Sequence, residues 1–187
     1  MDGTAPRGKP AWRFGWVLFL VLLDLWSKDA AFAWLGASPE GYGPRRPILG
    51  EWLSFASTCN GGAAFGQFDQ FPLVLVIGRA CAVVFLAWLV LRAAPRPRLV
   101  LVAMVLVLAG ALGNLIDNLW LGCRIDGRDF PLGVRDFVAV WFEPLIGIDY
   151  HFPAFNVADS CITVGAMAWI LAGFLTKPAE GPAPDAR

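Results

Sequence analysis

The sequence predicts an all-α membrane protein with four transmembrane helices. Composition is the first sign: 57% of the 187 residues are hydrophobic and 16% are charged. A soluble domain carries about 25% charged residues, so this chain lacks the charge to coat a surface that faces water on every side. The second sign is four apolar stretches, 14–35, 71–91, 99–121 and 156–176. Each reaches the roughly 20 residues that cross about 30 Å of hydrocarbon at about 1.5 Å per residue. The third is the placement of basic residues beside them, which sets a direction.

Arg7, Lys9 and Arg13 lead into the first span. Its end, Ala31-Phe32-Ala33, imitates a signal-peptide cleavage site, but Asp24, Lys28 and Asp29 interrupt the run before it, which favours a retained span. The second and third spans are joined by a short turn holding Arg92, Arg96 and Arg98, and Lys177 follows the fourth. Positive charge stays in the cytoplasm. Residues 1–13 are therefore expected to form a cytoplasmic N-terminus, 14–176 the membrane domain, and 177–187 a disordered cytoplasmic tail, with loops 36–70 and 122–155 outside.

Net charge is zero, 15 basic against 15 acidic residues, so nothing points to nucleic acid. One His (His151) and four scattered Cys (59, 81, 123, 161) without a CxxC pair give no metal site and no cofactor. The cysteines read most simply as small apolar fillers.

An ionisable group in a span costs about 2.5–3.5 kcal/mol, so each needs a reason. Asp24 and Lys28 share a face at i, i+4. Arg79 stands alone in the second span, either paired with a carboxylate or snorkelling outward. Asn114 and Asp117 share a face of the third span beside Gly110 and Gly113, which read as helix-packing residues. Asn156, Asp159, Ser160 and Thr163 share a face of the fourth, where Asn156 and Asp159 also have the spacing of a capping box. These groups gather in the outer half of the membrane, as a shared wet site would. Two loop segments join them. Asn60-Gly61-Gly62-Ala63-Ala64-Phe65-Gly66 is either a tight turn or a backbone that approaches a substrate. Asp136 lies in a strand-like apolar run, 134–138, and with Asp159 could form a carboxylate pair at the membrane surface.

Four segments together resemble the lipoprotein signal peptidase (signal peptidase II) family. They are Asp24 to Lys28, Asn60 to Gly66, Gly110 to Asp117 with Val134 to Phe137, and Pro153 to Ser160. The resemblance implies a bacterial inner-membrane aspartyl protease with four helices, a small β-rich extracytoplasmic part, and no cofactor or metal. It implies diacylglyceryl-modified prolipoproteins as substrates, cut just before the modified cysteine. A monomer in contact with membrane lipid is the expectation for the chain itself. The catalytic pair falls on Asp136 and Asp159. Asp24, Lys28, Asn60, Gly62, Asn114, Asp117, Asn156 and Ala158 match further motif positions, with roles in substrate binding or support of the site.

Two departures stand out. The family usually places Arg after the third-span Asp, and here it is Asn118. Residues 123–131 look inserted and bring Asp126 and Asp129 as rival carboxylates, though neither has the apolar setting of Asp136. In an extended run Arg135 should point away from Asp136. Arg124 and Arg128 of the insertion are then candidates to supply the missing charge to Asp117, and a tolerated surface loop is the alternative.

The chemistry is self-consistent. Two close carboxylates cannot easily both ionise, so one stays protonated as acid and the other takes a proton from water. Asp159, near a helix N-terminus, is expected to be the ionised member. A transporter or proton channel would also hold intramembrane carboxylates, but would string them across the membrane. A non-catalytic assembly protein would explain the glycine faces and not the carboxylate pair.

Overall fold

The apolar runs do become long helices. In the computed structural model, residues 11–36, 45–61, 71–92, 97–125, 128–130 and 132–175 are described. Helix α1 spans Ala11–Leu35, α2 Pro72–Arg92, α3 Arg98–Ile116 and α5 Val157–Leu175, with a short α4 at Glu143–Ile146. A π turn, Asp117–Leu121, extends α3. Helices α1, α2 and α5 end within three residues of the apolar stretches, and α3 does so once its π turn is counted. The stops are local: Gly36, at φ 73°, donates its N–H to Phe32 O at 3.1 Å and closes α1. Pro97, whose ring fixes φ, precedes the first turn of α3.

Among the described residues, three helices are long and apolar enough to cross a membrane: α2, α3 with its π turn, and α5. Helix α1 is longer, at 25 residues, and carries Arg13, Asp24, Lys28 and Asp29. Helix α3 is central and packs on α1, α2 and α5. Small residues let neighbours close on it: a Cβ on Gly165 of α5 would stand 2.7 Å from Val107 Cγ2, one on Gly110 would stand 2.3 Å from Ala158 O of α5, and one on Gly113 would stand 2.6 Å from Asp24 Oδ2 of α1. The packing reading of the glycines therefore holds, and Gly113 also makes room for a carboxylate.

The bundle has two unlike ends. Val17, Val21, Val90, Met104, Leu108 and Ala172 form a dry cluster at one end, where Arg13 Nη1 also donates to Val90 O at 3.0 Å and ties α1 to α2. At the other end the helices bring in their buried polar residues and meet the strands.

The strands come from the two loops. β1 (Arg45–Leu49), β2 (Leu53–Asn60), β5 (Val134–Trp141) and β6 (His151–Phe155) form an antiparallel sheet in the order β1-β2-β5-β6. A hairpin of β3 (Cys123–Ile125) and β4 (Arg128–Phe130) occupies the inserted-looking stretch. The chain is thus helix-rich with a small β part. Cys59 on β2 is disulfide-bonded to Cys123 on β3, with Cα atoms 5.7 Å apart. The filler reading fails for these two cysteines and stands for buried Cys161, a free thiol. Gly62 and Asp126 lie outside the described residues, as do the expected N-terminus up to residue 10 and the tail.

Candidate active site

The site is assembled where β5 and the start of α5 meet α1 and α3. Alternation along β5 puts Val134 and Asp136 on one face and Arg135 on the other. Val134 and Asp136 line a cavity of about 640 Å³ that Asp159, Asn60, Asn114 and Arg79 also line. The two carboxylates expected from the sequence are therefore brought to one cavity. Asp129 is not: it sits on the hairpin, exposed and paired with Arg124 at 3.3 Å.

Asn156 links the carboxylates. Its Nδ2 donates to Asp136 Oδ1 at 2.7 Å, and its backbone N–H donates to Asp159 Oδ2 at 3.2 Å. Its Oδ1 in turn accepts the Asp159 N–H at 2.9 Å, which is a reciprocal cap on the first turn of α5. Capping and site roles are thus one arrangement. The cap holds Asp159 by one oxygen and leaves the other for Asn114 Nδ2, at 2.8 Å.

Beneath this layer lies a buried ionic one. Lys28, with no exposed surface, donates to Asp24 Oδ2 at 2.7 Å and to Asn114 Oδ1 at 3.0 Å, and pairs with Asp117 Oδ2 at 3.0 Å. An ammonium has no acceptor. It therefore requires the oxygen of Asn114, which turns the amide NH₂ toward Asp159. The other oxygen of Asp24 accepts the Ala158 N–H at 2.8 Å and anchors the start of α5 to α1. Of the expected site residues, all but Gly62 thus fall in one connected group.

Burial, and next the charge of Asp159, push the Asp136 carboxyl up to about 8, against hydrogen bonds from Asn60 and Asn156 and the charge of Lys28. Asp136 is 1% exposed. A pKa of about 8 keeps the carboxyl protonated at neutral pH.

The model of the signal peptidase (SPase) II family matches residues 16–175. The chain belongs to the signal peptidase II family. A lipoprotein signal peptidase of Streptomyces coelicolor is 34% identical over 180 residues, covering 96% of this chain and 78% of that one. One of Deinococcus radiodurans is 34% identical over 93% of this chain and 85% of its own length. One of Geobacillus kaustophilus is 35% identical over 87% of this chain and 93% of its own length. Among solved structures, a bacterial membrane enzyme determined in meso at 2.3 Å resolution superposes with a TM-score of 0.72 over 93% of this chain and 94% of that chain, at 24% identity. That likeness speaks to the fold.

Within this signal peptidase II fold, the partner of Asp117 corrects an expectation. Arg135 does face away from Asp136, but Asp117 waits on that side. It accepts the Arg135 backbone N–H at 3.1 Å, Nε at 3.1 Å and Nη2 at 2.8 Å. Arg135 also pairs with Asp29 of α1. Arg124 is spent on Asp129 at the surface, so it does not supply the charge. Arg79 Nη1 instead donates to Asn118 Oδ1 at 2.6 Å. Removing one member of a buried ion pair costs about 3–5 kcal/mol, whereas an exposed pair contributes about 0–1 kcal/mol. Arg135→Ala is therefore expected to lower thermal stability and cleavage sharply, and Arg124→Ala to leave both near wild type. Equal effects in a melting and activity assay would show that Arg135 does not hold Asp117.

Proposed function

We propose that this chain is an intramembrane aspartic endopeptidase that removes signal peptides from prolipoproteins, cutting before the diacylglyceryl-modified cysteine. One observation carries the reading: two carboxylates share a cavity, with one held protonated to about pH 8 by burial and by the other. Asp159 takes a proton from the attacking water. Asp136 donates its proton to the scissile carbonyl oxygen. The C–N bond of the resulting diol then breaks as Asp159 passes the proton it took from water to the leaving nitrogen and Asp136 recovers a proton from a diol hydroxyl. Asn114 and Asn156 hold the pair so that the two acids face one peptide bond. The lining is otherwise largely apolar, with Ala82, Ala111, Phe155 and Ile162, which suits a lipid-modified peptide. The dry cluster at the other end of the bundle argues against a path for ions.

In the same reading the protein lies in the bacterial inner membrane with α1 as a fourth span. Both termini are cytoplasmic, and the sheet and site lie at the outer face. A lipidated cysteine is held at that depth by its acyl chains. Reporter fusions in loops 36–70 and 122–155 are expected to read as external; a cytoplasmic reading of either removes the interfacial site.

Purified protein incubated with lipidated and non-lipidated precursor peptides tests the activity, with cleavage of the lipidated one expected. The pH profile tests the mechanism. Asp136 must keep its proton, so kcat/KM should fall as pH rises through about 8. The charge of Asp159 is one cause of that high value, so Asp159→Asn should let the Asp136 carboxyl ionise at lower pH, read from the carboxyl stretch in infrared difference spectra. An activity that is flat through pH 9 would remove Asp136 as the acid.

A further inference from the structure

Among the described residues, the Cys59–Cys123 disulfide is the one covalent link between the sheet and the stretch that follows α3. It stands close to the acid of the pair. The ladder between β2 and β5 loses register between Phe55 and Thr58, so Thr58, Cys59 and Asn60 form a separate run of rungs opposite Asp136, Arg135 and Val134. Asn60 ends the strand and Gly61 follows it. A short run at a strand end opens readily, because little buried surface holds it. Yet Asn60 lines the cavity, and its side chain hydrogen-bonds to Asp136. The rung most prone to fray therefore carries a group that touches the acid.

The disulfide bears on this run from the helical side. Cys123 is buried and comes two residues after the π turn Asp117–Leu121, where Gly122 donates its N–H to Asp117 O at 2.7 Å. Asp117 is also the carboxylate that Arg135 holds at 2.8 Å. The rung of Cys59 and Arg135 is thus tied to the end of α3 twice, once by that ion pair and once by the S–S bond. The rung of Asn60 is the next one along.

We propose that Cys59 and Cys123 are positioning residues for the cleavage reaction: their disulfide clamps the end of β2 so that Asn60 stays on Asp136, and full activity requires the oxidised bond. The proposal rests on the peptidase reading above. Cys59 is half-buried, so a small dithiol can reach its sulfur. The dithiol gives up two electrons and two protons and becomes a cyclic disulfide, while Cys59 and Cys123 become thiols. The bond from Asn60 favours the ionised form of Asp136. Once the clamp opens, the carboxyl loses that bond, keeps its proton to higher pH and is held less firmly.

The test uses the full chain in lipid nanodiscs and a diacylglyceryl-modified precursor peptide. Cys59→Ser with Cys123→Ser, and wild type treated with a dithiol, are each expected to lower kcat about tenfold through misplacement of a reacting group, with KM changed less than about threefold. The alkaline fall of kcat/KM should move above the wild-type midpoint. The double variant should not respond to the dithiol. Loss of a merely structural disulfide lowers the melting temperature and leaves the pH profile where it was, so an unmoved alkaline fall overturns the proposal whatever the melting temperature does. Asn60→Ala completes a cycle: it should cost activity in the disulfide-bonded chain and add little in the double variant. Additive losses would show that the disulfide does not act through Asn60. Should the double variant fail to fold, the reduced wild type decides. An infrared titration of the Asp136 carboxyl stretch, assigned by its loss in Asp136→Asn, needs no cleavage, and its midpoint should rise on reduction. If the wild-type chain fails to cleave, the peptidase reading falls, and this titration still judges the disulfide.

Discussion

Asp136→Asn and Asp159→Asn are each expected to lower kcat by roughly 100- to 10,000-fold, the range that a positioned acid or base contributes. Each residue moves a different proton, so neither can cover for the other. The two variants should differ in what else they change. Asn at 136 mimics a protonated carboxyl, which is the form Asp136 holds up to about pH 8. The folded state keeps a proton there that an unfolded carboxyl gives up near 4, so this group's contribution to stability declines as pH rises between those values. Asp136→Asn is freed from that decline and should be at least as stable as wild type at pH 8 in a melting experiment. Asp159→Asn keeps an oxygen to accept the cap from the Asn156 N–H, so it should also fold. Asp129→Asn, on the exposed hairpin, should cleave normally. If Asp136→Asn cleaves at the wild-type rate, the dyad is misassigned.

Lys28→Met is expected to do nearly as much damage by another route. The ammonium stands between Asp24 and Asp117, both buried, and sets the orientation of Asn114. Without it Asp24 loses its ion pair and Asp117 keeps only Arg135, a loss of about 3–5 kcal/mol for the broken buried pairing. The Asn114 amide is also free to turn its oxygen toward Asp159, which would cost activity beyond stability. Adding Asp24→Asn to Lys28→Met should recover part of the melting temperature, because one uncompensated charge is removed, while cleavage stays low. If Lys28→Met melts with wild type, the buried pairing carries no stability here.

Most of the site could be read in the sequence because its residues are expensive. A carboxylate, an amide or a cation in an apolar run stands out, and Asp24, Lys28, Asn114, Asp117, Asn156 and Asp159 were visible for that reason. That they gather at one end of the bundle could be expected from counting residues between the ends of the apolar runs. Pairings across the fold were less visible. Alternation correctly turned Arg135 away from Asp136, but only the packing of β5 against the end of α3 reveals that Asp117 lies on that side. The sheet left weak marks, because its strands are short and, apart from β5, sit in loops of mixed composition. The disulfide had a usable signal. Cys59 and Cys123 fall in the two loops assigned to the outside, while Cys81 and Cys161 fall in spans. An oxidising compartment sorts them into one pair and two free thiols.

The same bond sets an order of manufacture. Cys59 emerges before α2 and α3 exist, and its partner follows 64 residues later, on the far side of that helical hairpin. The link can close only after both helices have been made. In the proposed orientation it closes in the compartment that receives the loops, at the hands of whatever oxidises thiols there. Asn60 is the next residue after Cys59, so the thiol oxidant would fasten a wall of the cavity as it closes the bond. Chains stopped before Cys123 should run as the reduced form on a non-reducing gel, and the shift to the faster band in longer chains would time-stamp the moment the third helix is in place.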